Sequence, residues 1–301
     1  MTEKRFNGKN EPVAIIGIGC RYPGSANTPG AFWENLKKGV DCITEVPVNR
    51  WDWSNFYSAN KDKAGKLHTK WGGYIDDIDK FDPLFFGITP READYMDPQQ
   101  RKLLEVTWEA LEDGGQKPTE LAGKSVGVFI GAFTLDYKIL QFSGTTHHNL
   151  AAHSSTGIMM TMVSNRISYV FDFRGPSISV DTACSSSLVA VHLACESLRN
   201  GESCLAIAGG VLLQLAPQYT IAESKGGFLS PTGWSHAFDA GANGYVRAEG
   251  VGVVVLKRLN EALRDGDPIY AVIIGDAVNQ DGHTNGITVP NGESQKELIK
   301  T

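Results

Sequence analysis

No run of apolar residues in this 301-residue chain is long enough to cross a bilayer, so the sequence carries no helical membrane span. The opening MTEKRFNGKNEP is polar and lacks the apolar centre of a secretory signal. There is no CxxC pair, and the five cysteines (Cys20, Cys42, Cys184, Cys195, Cys204) form an odd set, which supports neither a zinc ribbon nor a disulfide framework. Blocks of basic residues are also missing. A net charge of −6 with interspersed signs gives no electrostatic footprint for nucleic acid or for an anionic membrane surface. Together these absences predict a reduced, cytoplasmic protein, with residues 1–10 as a leader or linker.

Glycine is abundant instead, with 33 residues, many of them directly after apolar runs. That pattern predicts tight turns in a packed α/β domain. The segment VAIIGIGCRYPG reads as a buried strand ending in a glycine-rich turn. It is not a dinucleotide fingerprint: Tyr22 stands where the third glycine would be, and Pro23 opposes an immediate helix. A helix is expected over Pro29–Lys38 with Phe32, Trp33 and Leu36 inward, then an aromatic-rich excursion outside the core from Asp41 to Thr89. Asp97-Pro98 opens a long helix that ends at Gly114-Gly115, with Leu103, Leu104, Trp108 and Leu111 inward. Ser125–Phe133 and Cys204–Val211 read as buried strands, with Cys195 and Cys204 as small core residues. His147, His148 and His153 match no helical metal pair and read as loop chemistry. Arg247 and Glu249 read as members of a structural ion pair.

The most informative stretch is Gly175–Gly201, GPSISVDTACSSSLVAVHLACESLRNG. Ile178, Val180 and Thr182 alternate as in a short, largely buried strand. Leu188, Val191, Ala194 and Leu198 then recur at near-helical spacing, with three serines available as N-terminal caps and Asn200-Gly201 as the stop. Cys184 therefore falls at a strand-to-helix turn, where the unpaired N–H groups and the positive end of the helix dipole favour a thiolate and can hold an oxyanion.

DTACSSSLVAVHLA resembles the active-cysteine segment of the β-ketoacyl synthases, the condensing enzymes of polyketide and fatty-acid synthesis. EPVAIIGIGCRYPG, DPQQRKLLEVTWEALEDGG, LSPTGWSHAFDAGANGYVRAEGVGVVVLKRL and AVNQDGHTNGITVPNG agree with that family and lie in its order. VPVNRWD is most similar to ketosynthase domains of modular type I polyketide synthases. The resemblance runs from Glu11 to Thr301. It implies a thiolase-like α/β fold of five αβαβα layers built from two similar halves. Residues 11–259 would form the first half, and residues 260–301 would begin a second that is incomplete here.

The same resemblance implies a role for Cys184. The cysteine would accept an acyl chain from the phosphopantetheine arm of an acyl carrier protein, and the acyl-cysteine would condense with a decarboxylating malonyl-type extender. It implies no directly bound cofactor or metal, a homodimer, and neighbouring synthase domains with an acyltransferase downstream. Thr288 would contact the pantetheine arm. Two family histidines, in segments of the type A-H-G-T-G-T and K-x-N-x-G-H, have no counterpart in these residues. His283 is not their substitute, because its motif precedes both. His192 lies eight residues beyond Cys184, about 12 Å along a helix, too far for direct proton transfer. The chain alone is therefore expected not to condense. A non-elongating acyl-transfer ketosynthase and a non-catalytic dimerisation or docking module are the alternatives.

Overall fold

The computed structural model describes residues 11–143 and 150–301. The expected leader, together with His147 and His148, lies outside them. In chain order, strand β1 (Val13–Arg21) leads to helix α1 (Pro29–Lys38) and to the ribbon strands β2 (Ile43–Glu45) and β3 (Trp71–Gly73). Helices α2 (Pro90–Tyr95), α3 (Pro98–Asp113) and α4 (Pro118–Leu121) precede strand β4 (Val126–Ala132). Helices α5 (Asp136–Phe142), α6 (Ser154–Ile158) and α7 (Met162–Phe171) lead to strand β5 (Ser177–Val180). Helix α8 (Ser186–Arg199) is followed by β6 (Leu205–Leu212), α9 (Pro217–Lys225), β7 (Gly250–Arg258), α10 (Leu259–Asp265), β8 (Ala271–Ile273) and α11 (Gly292–Lys300).

Six strands form one mixed sheet in the order β5-β4-β6-β7-β1-β8. β4 pairs in parallel with both β5 and β6, and the remaining pairs are antiparallel. The central strands are buried on both faces, which is why β4 reads as one apolar run without alternation. Helices α3 and α7 cover one face, where Leu103, Leu104, Val128, Ile130 and Ile207 belong to the larger core cluster. Helix α8 covers the other, packing Ala190, Ala194, Cys195 and Leu198 against Phe129, Ala206 and Ala208. This helix–sheet–helix sandwich accounts for three of the five layers that the resemblance implies.

The glycines of VAIIGIGCRYPG serve close packing. A Cβ on Gly17 would lie 2.2 Å from the Ala110 carbonyl oxygen, and one on Gly19 would lie 2.4 Å from that of Val106. Helix α3 thus rests its backbone on β1. Asp97 caps this helix, its Oδ1 accepting from the Gln99 N–H at 2.8 Å, with Pro98 at the first helical position.

Several expectations are corrected. Helix α1 has the expected bounds, yet Phe32, Trp33 and Leu36 are exposed, Trp33 by 59%. Their side of α1 borders an open cleft instead of the core. The excursion is peripheral in its chain path, but Ile75, Ile78 and Ile88 reach into the main core. Among the described residues β5 is an edge strand, and Ile178 on it is exposed instead of largely buried. Cys195 is buried as expected, whereas Cys204 precedes the first residue of β6 and is exposed.

Arg247 and Glu249 are both buried and ion-paired, but not to each other. Arg247 Nε meets Glu223 at 3.1 Å, and Glu249 meets Arg50 Nη2 at 3.0 Å. Glu249 also accepts from the Ile75 N–H and the Gln214 N–H, both at 2.9 Å. This one carboxylate fastens the excursion to the sheet.

Candidate active site

β5 ends at Val180, residues 183–185 form a single tight 3-10 turn, and α8 starts at Ser186. The turn is sharp because Ala183 has a φ of +54°, a conformation that L-residues rarely take. Four hydrogen bonds hold it there. The Ala183 N–H donates to Asp181 Oδ1 at 2.9 Å, and the Thr182 N–H donates to Ser186 Oγ at 2.8 Å. Ser186 Oγ donates in turn to the Ala183 carbonyl at 2.7 Å, and Ser185 Oγ to that of Thr182 at 2.8 Å. The serines were expected to cap α8; instead Ser185 makes no side-chain cap bond, and the hydroxyls stitch the turn in front of the helix.

The result is an exposed Cys184 thiol at the N-terminal end of a 14-residue helix. Helix N–H groups and the positive dipole end stabilise negative charge at that point. The thiol borders a cleft of about 1300 Å³ whose walls include Leu188, Val191, Phe133 and Phe228. The lining is largely apolar, with a polar spot formed by Glu223, Tyr245 and Arg247. Tyr245 donates its hydroxyl to Glu223 Oε2 at 3.3 Å, and Arg247 Nη1 donates to Thr220 Oγ1 at 2.7 Å. Burial pushes the Tyr245 phenol up to about 12, helped by the Glu223 carboxylate and then by Cys184, so it remains a donor at neutral pH.

Of the two site residues expected from sequence, Cys184 faces this cleft. Thr288 is exposed in the irregular stretch between β8 and α11 and is not among the lining residues. His283 is exposed in the same stretch. His192 is engaged elsewhere, its Nδ1 lying 2.5 Å from Asp276 Oδ1, while Asp276 also pairs with Arg199 at 2.7 Å. His153 lies beside the Tyr95 ring. Among the described residues no group of three or more His, Cys, Asp or Glu is placed to hold a metal ion.

Sequence reasoning missed Glu223 and Tyr245 altogether. QYTIAESK carries no motif, and only the folding of α9 against the segment before β7 brings Glu223 to Tyr245 and Arg247.

Comparison with known proteins gives one consistent result. The profile of the family described as "Beta-ketoacyl synthase, N-terminal domain" matches residues 10–262. A phenolphthiocerol/phthiocerol polyketide synthase from Mycobacterium tuberculosis (strain CDC 1551 / Oshkosh) is 52% identical over 289 residues, covering 96% of this chain and 16% of the relative. Another phenolphthiocerol/phthiocerol polyketide synthase, from Mycobacterium bovis, is likewise 52% identical over 96% of this chain and 19% of the relative.

Among solved structures, the oxazolomycin ketosynthase domain of Streptomyces albus JA3453 superposes with a TM-score of 0.88 at 41% identity, over 96% of this chain and 50% of that one. The ketosynthase from module 6 of the bacillaene synthase of Bacillus subtilis 168 gives 0.86 at 41% identity, over 96% of this chain and 48% of that one. The chain thus spans about half the length of these ketosynthases and less than a fifth of the curated relatives. Its fold is thiolase-like, and the helix–sheet–helix layers described above are its share of that fold. By its matched residues and its architecture, the chain belongs to the β-ketoacyl synthase family, within that family's N-terminal domain.

Proposed function

We propose that this chain supplies the acyl-accepting cysteine of a polyketide-type β-ketoacyl synthase. The observation that carries the reading is the exposed Cys184 thiol on a strained strand-to-helix turn, facing a large apolar cleft. The Cys184 thiolate attacks the carbonyl carbon of an acyl thioester on the phosphopantetheine arm of an acyl carrier protein. The new C–S bond forms as the old one breaks, and the departing pantetheine sulfur takes up the proton that Cys184 gave up. Charge developing on the carbonyl oxygen is met by the Cys184 N–H at the start of α8. The apolar cleft walls accommodate the acyl chain and keep water from the thioester.

Condensation with a decarboxylated malonyl-type extender follows in the whole enzyme and needs the two family histidines, whose segments have no counterpart in these residues. Thr288 contacts the pantetheine arm when the carrier docks. Residues 11–259 act as the first half of the ketosynthase and residues 260–301 as the opening of the second. The open edge of β5, with Ile178 exposed, supports a homodimer in which that edge is covered. Neighbouring synthase domains, an acyltransferase among them, and a cytoplasmic setting complete the reading.

Incubation with an acyl-pantetheine thioester and mass mapping of the adduct tests it. The adduct is expected on Cys184 and absent from Cys184→Ala. Acylation at another residue, or none at all, would overturn the assignment.

A further inference from the structure

The acyl cleft is largely apolar, and on one of its walls three polar side chains, Glu223, Tyr245 and Arg247, are arranged rather than scattered. Glu223 on α9 presents a carboxylate whose side chain is 16% exposed. Its Oε2 accepts from Tyr245 Oη at 3.3 Å and is ion-paired with Arg247 Nε at 3.1 Å. Arg247 is held from behind by Thr220 and is 4% exposed at its side chain, yet its buried Nη2 has no hydrogen-bond partner. All three residues line the cleft that holds Cys184.

A carboxylate, a phenol and a guanidinium are costly to keep in a largely apolar wall, and the one of these groups left without a partner among the described residues, Arg247 Nη2, alone costs about 1–3 kcal/mol. A simple alkyl chain in the cleft would complete that desolvation and return nothing. A hydroxyl on the chain would donate to the partly exposed Glu223 carboxylate and regain a charge-assisted hydrogen bond there.

We propose that Glu223, Tyr245 and Arg247 form a polar subsite that selects acyl chains bearing a hydroxyl group. The inference rests on the reading of Cys184 as the acyl acceptor. Selection occurs at loading. The same thioester exchange takes place, and a chain whose hydroxyl reaches Glu223 is held with its carbonyl at the Cys184 thiol for longer than a chain without one.

The test compares hexanoyl N-acetylcysteamine thioester with its three isomers hydroxylated at carbon 3, 4 or 5, reading the rate of Cys184 adduct formation by mass spectrometry. At least one hydroxylated isomer is expected to load about tenfold faster than hexanoyl, the size of effect one charge-assisted hydrogen bond gives. Glu223→Leu should abolish that preference, read as the ratio of hydroxylated to hexanoyl loading in the same variant. Glu223→Gln, which keeps the shape and one acceptor oxygen, should reduce the preference at least threefold and decides the matter if the leucine variant does not fold.

Equal loading of all four thioesters by the unaltered protein would overturn the subsite while leaving Cys184 as the acceptor. So would a preference that survives both substitutions. Loading of none of them would overturn the acceptor reading itself, and the subsite with it.

Discussion

The turn that carries Cys184 balances backbone strain against side-chain hydrogen bonds, and Ser186→Ala unsettles that balance. Ala183 at a φ of +54° carries a cost of about 1–2 kcal/mol for an L-residue in the left-handed region. Ser186 Oγ opposes it with one accepted and one donated bond, at 2.8 and 2.7 Å, worth about 1 kcal/mol each. Ser186 is itself buried, so removing its hydroxyl opens no new route for water to both groups. Loss of about 2 kcal/mol is comparable to the strain, and the turn then relaxes away from the geometry that aims the Cys184 N–H.

Two reactions at the same sulfur separate aim from access. Thioester acylation needs the N–H at the developing oxyanion and should fall about tenfold, equivalent to about 1.4 kcal/mol of transition-state stabilisation. Alkylation by iodoacetamide needs only the thiol and should change less than about twofold. Adding Ala183→Gly to Ser186→Ala removes the steric cost of the positive φ and should restore part of the acylation rate. Unchanged acylation in Ser186→Ala would refute the reasoning. A parallel fall in both reactions would do so too, since it would mean that the thiol had been buried or the local fold lost.

Gly17→Ala should lower unfolding free energy by about 3 kcal/mol in urea titration, because its Cβ would meet the Ala110 carbonyl oxygen at 2.2 Å and force α3 off β1. Glu249→Gln leaves the Arg50 guanidinium buried without its counter-charge, and thermal unfolding should report a loss of about 3–5 kcal/mol, or roughly 6 °C for a chain of this length. Asp97 is buried, and desolvation raises its carboxyl from 3.8 to about 6. The folded chain holds that proton more tightly than the unfolded chain, so the stability it contributes is full below about pH 4 and is lost as pH rises to about 6. The pH dependence of denaturant midpoints should therefore flatten between pH 4 and 6 in Asp97→Asn, by on the order of 2 kcal/mol across that window; an unaltered slope would contradict the assignment.

What the sequence made legible was local. β1, α3, β4, α8 and β6 announce themselves through apolar runs, an Asp-Pro start and Asn-Gly or Gly-Gly stops, and each forms within a residue or two of its expected bounds. Cys184 was legible for the same reason, since a strand and a helix meet on either side of it. Side-chain direction was not. Helix α1 has a periodic apolar face, but which way that face turns depends on what covers the cleft, a property of distant chain. The partners of Arg247 and Glu249 were equally hidden: the two lie close together in the segment before β7, yet their counter-charges come from residues 223 and 50. Glu223 had no local signature at all, because a lone acid on a short helix becomes a cleft group only through long-range packing.

The placement of the thiol is also less local than its motif suggests. Gly131 on β4 and Gly210 on β6 are partners in register across the sheet. A Cβ on Gly131 would lie 2.6 Å from the Ser186 carbonyl carbon and the Ser187 nitrogen, and one on Gly210 would lie 2.8 Å from the Ser187 Cβ. These two glycines let the first turn of α8 descend onto the strands. If either carried a side chain, the helix start would have to rise, and the turn before it would lose the short Ser186 bonds that hold Ala183 in its strained conformation. The reach of Cys184 into the cleft is therefore set by the sheet as much as by the residues flanking the cysteine. The exposed cysteine therefore depends on this framework: the strained turn beside the thiol is held by hydrogen bonds, and the hydrogen bonds are held by a close helix–sheet contact that only glycine permits.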